Sequence, residues 1–166
     1  MSEIFRRLLG LFRTFGIVKQ VHSVMFIGNI PSTNDIYQSR HWTVRHKLEE
    51  KFTKEFRNLF KKLKIPKVDQ FGLIVFYNHA LDVDNVSFVE KIFVDSFRRE
   101  VKVFIPKYPG TKKPIKDPKT KKPIRFEDVI YEGHVANDTQ NYFKFLSICP
   151  DKTLPENSVE FNVCVL

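Results

Sequence analysis

Cysteine is almost missing from this chain: Cys149 and Cys164 are the only thiols in 166 residues. They form no CxxC pair and no metal-ligand spacing, so neither a disulfide framework nor a thiolate metal site is encoded. Two buried, reduced cysteines in a cytosolic protein are the expectation. Glycine is scarce too, six residues in all. There is no glycine-rich phosphate loop and no Gly-x-Ser-x-Gly, and nucleotide and serine hydrolases therefore lack their signatures. His22, His41, His46, His79 and His134 show no HExxH and no paired ligand spacing. They read as local hydrogen-bonding residues. No apolar run approaches the roughly 20 residues needed to span a bilayer. The stretch from Ile4 to Arg13 is interrupted by arginine and lacks a small-residue cleavage site, so export is not expected. Ile4, Leu8, Leu11, Phe12 and Phe15 share one helical face, so residues 1–20 are expected to form a helical extension that docks on the domain, with pairing to another subunit or contact with an anionic surface as the alternatives.

Acidic residues are the other relative shortage. Lys+Arg number 28 against 19 Asp+Glu, for a net charge of +9 and a pI near 9.6. Such a balance favours nucleic acid or another anionic surface as partner. The excess is concentrated. From Lys102 through Arg125 there are nine Lys/Arg and one Asp, a local net of +8. Within that run Thr111-Lys112-Lys113-Pro114-Ile115 recurs as Thr120-Lys121-Lys122-Pro123-Ile124, around Asp117-Pro118. Two copies are too few for a solenoid, and the prolines suit an exposed extended arm, about 106–126. Lys112, Lys113, Lys121 and Lys122 are its candidate phosphate contacts.

What is abundant is phenylalanine, seventeen residues, in a chain long enough for one domain with a sizeable core. Val21 to Ile27 is short and β-branched, and the turn chemistry of Gly28 to Asn34 ends it, so a strand and a loop are predicted. Leu48, Phe52, Phe56, Leu59, Phe60 and Leu63 form a helical stripe, with Glu50, Lys51, Lys54, Arg57, Lys61 and Lys62 opposite and Pro66 beyond its end. Phe71 to Tyr77 reads as a strand covered on both faces. Val86, Val89, Ile92, Phe93 and Phe97 restore helical spacing, with Asp84 or Asn85 placed to cap the first turn. Val101 to Ile105 is a further strand. After the arm, Tyr142 to Cys149 and Ser158 to Val165 read as an antiparallel pair joined by a long turn. The fold class is α+β: a single domain over 21–166, with a short mixed or antiparallel sheet and helices packed against it.

The acids that matter most are Asp82 and Asp84, in Asp82-Val83-Asp84-Asn85 between a strand and a helix, and Asp138, in Gly133-His134-Val135-Ala136-Asn137-Asp138-Thr139-Gln140. If the three converge, they form an oxygen-ligand site for a hard divalent cation acting on a phosphodiester. The local alternative is one helix cap and one solvated loop residue.

The order of these motifs resembles the RusA-type Holliday-junction resolvases of phages and prophages. Ile30-Pro31-Ser32-Thr33-Asn34-Asp35-Ile36-Tyr37 looks like that family's N-terminal Pro-Ser-x-Asn-x-x-Tyr loop, Asp82-Val83-Asp84-Asn85 like its Asp-x-Asp-Asn, and Gly133 to Gln140 like its Gly-x-x-x-Asp-Asp-x-Gln. A closing β-hairpin follows in the same order. The resemblance covers Val21 to Val165 apart from the arm. It implies a homodimeric endonuclease that uses Mg²⁺, with Mn²⁺ as a substitute, to make paired nicks in four-way DNA junctions in the cytoplasm of a bacterial or phage-infected cell. It implies Asp82, Asp84 and Asp138 as metal ligands and catalytic acids; Asn34, Tyr37, Arg40 and Arg45 beside the arm lysines are the candidate DNA contacts read from the residues themselves. Two positions depart from the pattern. Asn137 stands where the family has a second acid, and Phe88 stands where it has a functional Lys, for which Lys91, near it on the same helix face, is the candidate substitute.

Other readings remain open on the same residues. Glu100-Val101-Lys102 is a Glu-x-Lys on a predicted strand, sixteen residues after Asp84, the spacing of another metal-dependent nuclease core. A non-catalytic nucleic-acid-binding module would keep the fold and arm, with Trp42 or Tyr37 stacking on bases. A structural protein would use its Phe-rich faces to bind partner subunits.

Overall fold

A computed structural model of the protein describes residues 16–31, 42–80 and 83–166, together with Arg7, Gly10, Leu11 and Thr14. Most of the expected N-terminal helix, and with it Ile4, Leu8, Phe12 and Phe15, lies outside the described residues.

The Phe stripe at helical spacing becomes α1, Trp42–Leu63, which buries Phe52, Phe56 and Phe60. Its end is set by Lys64, whose φ of 50° is left-handed. The Lys64 amide donates to Lys61 O and the Ile65 amide to Phe60 O, both at 3.3 Å. That double closure satisfies carbonyls the helix would leave orphaned, and the buried Ile65 lies against Phe60 as such caps require. The second helix, α2 (Val83–Phe97), carries Asp84 in its first turn, where a carboxylate complements the helix dipole. It starts just before the residues expected to cap it. Ten of its side chains are buried, because α2 is covered by α1 on one side and the sheet on another.

Strands β1 (Gln20–Ile27), β2 (Phe71–Asn78), β5 (Phe143–Pro150) and β6 (Ser158–Val165) form a four-stranded mixed sheet in the order β1-β6-β2-β5. Strand β6 is antiparallel to both β1 and β2, whereas β5 is parallel to β2. The expected antiparallel pairing of the last two strands does not form: β2 lies between them. The reason is burial. Nearly every residue of β6 is buried on both faces, and only a central position gives such a strand backbone partners on both edges. Strand β5 alternates between covered and exposed residues and takes the edge.

Both faces of β2 are covered, as its sequence predicts. Leu73 and Val75 join the helical layer, and Ile74 and Phe76 join a smaller cluster with Val18, Leu154 and Cys164. Burial pushes the Cys164 thiol up to about 11, while Cys149 is only half-buried. In the helical layer Phe93 stacks on Phe161 at 4.2 Å, and Phe56 meets both rings edge-on at 5.2 and 5.4 Å. Each such ring contributes roughly 1.5–3 kcal/mol by leaving water. This is the part of the chain that holds the fold.

The remaining strands, β3 (Glu100–Phe104) and β4 (Phe126–Tyr131), pair only with each other. Sequence reading missed β4, because Glu127 and Asp128 break its apolar pattern. The basic arm spans 105–125 between them. A two-stranded ribbon is marginal by itself, and one residue ties this one down. Arg57 on α1 bonds the Glu100 carboxylate at 2.5 Å and lays its guanidinium 4.0 Å over the Tyr131 ring. Glu100 and Tyr131 are cross-strand partners, so Arg57 grips both strands at the ribbon's root.

Candidate functional site

Strand direction decides where the acidic motifs fall. Strands β2 and β5 are parallel, so the loop leaving β2 and the loop entering β5 lie at opposite ends of the sheet. Asp84 lies in the first turn of α2, just after the first loop, and Asp138 lies in the second loop. Helix α2 spans the distance between them. The rise from Asp84 to Asp95 is about 16 Å at 1.5 Å per residue, and Asp138 lies at the Asp95 end. The structure therefore does not bring Asp84 and Asp138 together within one chain. Asp82 lies outside the described residues, as do Asn34, Tyr37 and Arg40. Among the described residues no group of three or more His, Cys, Asp or Glu could hold a metal ion.

The Gly133–Gln140 segment is stitched to the end of α2. His134 N–H donates to Phe97 O and Arg99 N–H to Val135 O, each at 2.8 Å. Gly133 has φ 64°, and a Cβ there would stand 2.4 Å from Arg99 N and 2.5 Å from the Arg98 carbonyl carbon. Only glycine permits that approach. The His134 ring stacks on Phe97 at 5.0 Å and meets Phe60 edge-on at 5.4 Å. Burial lowers its pKa, and hydrogen bonds to the Ile65 and Pro66 backbone partly restore it. His134 thus braces the loop. Asn137, the departure from the family pattern, accepts the Asp138 amide at 2.8 Å through Oδ1. Its side chain shapes the turn that presents Asp138.

What Asp138 meets is a carboxylate that sequence reading passed over. Asp95, in the last turn of α2, lies beside Asp138, and both carboxylates contact Arg98. Burial raises Asp95 above the ordinary carboxylate range and the neighbouring Asp138 raises it further, while Arg98 and Lys91 pull it back. Arg98 reaches Asp138 at 3.2 Å and Asp95 at 3.7 Å. Lys91 precedes Asp95 by one helical turn on the same face. The signal for Asp95 was available: a Lys-x-x-x-Asp pair on the polar side of an otherwise buried helix.

These residues open into a groove of about 870 Å³ between α1 and α2, with Phe88 and Ile92 among its lining and Lys54, Arg57, Lys61, Lys91, Asp95 and Arg98 around it. Phe88 is 6 % exposed, so the position where the family has a Lys is part of the core here. The groove is mixed in charge, since Glu49, Glu50 and Glu100 line it as well. Glu100 is held by Arg57, at the end of α2 remote from Asp84, which separates the two acids of the Glu-x-Lys scheme. Glu90, beside Lys91, is buried, and that burial together with the Asp95 charge pushes its carboxyl up to about 7.

Cation density is highest elsewhere. Lys112, Lys113, Lys121 and Lys122 are exposed on the arm. Arg45 is on α1 and pairs with Glu49 at 2.8 Å. Trp42, at the start of α1, is 68 % exposed, with its ring 6.3 Å from that of His46. No helix among the described residues is long and apolar enough to cross a membrane. No family model, curated protein or solved structure matches this chain.

Proposed function

We propose that the protein binds the phosphate backbone of nucleic acid, with branched DNA as the substrate class its motif order favours. The observation that carries this is the arm. Residues 107–124 hold seven Lys and one Asp, and that Asp is occupied: Asp117 Oδ1 accepts the Lys119 and Thr120 amides at 2.8 and 2.7 Å. Seven lysines against that single carboxylate leave residues 107–124 with a net charge of +6. Phosphate contacts of this kind supply most non-specific affinity and weaken steeply with salt.

A second reading, the Mg²⁺-dependent junction endonuclease acting as a homodimer, draws on one specific observation. Asp95 and Asp138 meet beside Lys91 at the rim of the groove. One or two carboxylates plus substrate phosphate suffice for Mg²⁺, and two carboxyls that contact the same guanidinium from separate segments offer such a donor set. Asp95 and Asp138 would hold the ion, which when bound would activate water and offset charge on the phosphate. Lys91 would orient a phosphate oxygen, and Arg98 would hold the Asp138 carboxylate in place. On this reading Asp84 joins Asp138 only across two copies of the chain.

Both readings meet in one experiment. The protein is mixed with a labelled four-way junction and a matched linear duplex, with Mg²⁺ or with chelator. Salt-sensitive binding without cleavage is the expected result for the binding protein. Paired, Mg²⁺-dependent nicks abolished in Asp138→Asn, with binding kept, establish the nuclease. If Asp84→Asn and Asp138→Asn are each inactive yet restore nicking when mixed, the acids act across a dimer. Absence of binding to either DNA at low salt overturns both.

A further inference from the structure

The arm repeats itself in sequence and in hydrogen bonding. Lys107-Tyr108-Pro109-Gly110-Thr111-Lys112-Lys113-Pro114-Ile115 is followed without a gap by Lys116-Asp117-Pro118-Lys119-Thr120-Lys121-Lys122-Pro123-Ile124. Only the second and fourth positions of the two units differ. The Tyr108 amide donates to Lys113 O at 3.1 Å, and the Asp117 amide to Lys122 O at 2.8 Å. Lys107 bridges to Pro114 as Lys116 does to Pro123. Thr111 Oγ1 accepts the Lys113 amide at 3.3 Å, and Thr120 Oγ1 the Lys122 amide at 3.4 Å. Ile115 N–H then bonds Pro106 O, and Ile124 N–H bonds Ile115 O, both at 2.9 Å. Each unit ends by pairing with the residue just before its own start.

The two differing positions explain how one shape is reached twice. In the first unit Gly110 takes a left-handed φ of 72°, and the Thr111 amide returns to Tyr108 O at 3.1 Å. The second unit has Lys119 there. The left-handed residue becomes Lys121 with φ 58°, and the Asp117 side chain closes the turn through the Lys119 and Thr120 amides. Charge is matched as well. The first unit has three Lys, and the second four Lys and one Asp, so each carries a net +3.

Folding a lysine run into order holds like charges at fixed spacing, which costs free energy unless a counter-charge of matching order is met. A linear polymer with one charge per fixed rise meets that condition. A fluid anionic membrane gives no reason for register, and an acidic protein segment has no period to match. Backbone segments joined by such bonds stand roughly 4.8 Å apart. One nucleic-acid strand rises roughly 3.4 Å per phosphate, and flexible lysine stems span the difference.

We propose that Lys107–Ile124 is a two-unit phosphate-binding arm whose units engage the same nucleic-acid strand side by side and contribute equal, independent increments of affinity. This rests on the nucleic-acid reading above and specifies where and how the backbone is held.

The test is fluorescence anisotropy on a labelled linear duplex across a KCl series. Four full-length proteins are compared: the intact chain and chains lacking 107–115, 116–124 or 107–124. With three phosphates per unit, either single deletion should lower the slope of log K against log salt by about 2.7, and the double deletion by about twice that. Lys112→Gln/Lys113→Gln and Lys121→Gln/Lys122→Gln test the same point without shortening the chain, each lowering the slope by about 1.8. If the intact chain binds and neither unit changes the slope, the arm inference falls while the nucleic-acid reading stands. Loss confined to one unit also overturns it, because the units are then not equivalent. Failure of the intact chain to bind duplex removes both. Arm-dependent binding to phosphatidylcholine–phosphatidylserine vesicles, without duplex binding, would make the arm a membrane anchor and overturn it as well.

Discussion

The helical layer and the arm are built on opposite principles within one short chain. In the layer, Phe52, Phe56, Phe60, Phe93, Phe97 and Phe161 are at most 2 % exposed, and shape follows from packing of rings. In the arm no residue is buried, and shape follows from turn hydrogen bonds repeated over nine residues. Packing is cooperative, so the layer fails as a unit. The turns are local, so the arm tolerates loss of a part. Stability is thereby lodged in one region and the charged surface in the other.

The largest expected effect breaks the layer. Phe93→Ala removes a ring in contact with Phe56, Phe60, Phe97 and Phe161 and should cost about 3–5 kcal/mol, read from the urea midpoint. Next comes the joint between α2 and the Gly133 loop. Gly133→Ala places a methyl group on the Arg98–Arg99 backbone at a left-handed φ and should cost about 2–4 kcal/mol. Smaller, and of opposite sign, is Glu90→Gln. Burial raises the folded-state pKa of Glu90 to about 7, so the fold prefers the neutral carboxyl. That preference is fully expressed below about pH 4.5 and lost as the pH rises through about 7. Glu90→Gln should therefore gain about 1–3 kcal/mol over the parent at pH 8, a gain that vanishes in thermal unfolding at pH 4. Smallest of all, Lys121→Gln/Lys122→Gln should leave stability within about 0.5 kcal/mol while weakening duplex binding. A loss as large as that of Phe93→Ala would show that arm and layer are one cooperative unit.

Much of this division is legible in the residues. The Phe52-Phe56-Phe60 stripe, the doubly covered β2 and the lysine run each announce themselves by period or composition. Strand pairing does not. The alternation of Val159, Phe161, Val163 and Val165 reveals one buried face, but nothing local shows that Ser158, Glu160 and Asn162 are buried on the other. The place of β6 in the middle of the sheet stays hidden for that reason. The candidate site fails to be legible on the same grounds. Asp84 and Asp138 look alike as motif acids, and only the parallel direction of β5 puts them at opposite ends of α2. Asp95 was passed over because a single acid on a helix reads as solvation until its neighbour across the loop is known.

The Arg57 clasp has a mechanical consequence. Among the described residues the arm is joined to the domain through β3 and β4, and Arg57 grips both strands where they meet α1. The ribbon is a lever with its fulcrum at that guanidinium. Arg57 and Glu100 also line the groove, so a load applied at the arm's tip is passed to the wall of the groove.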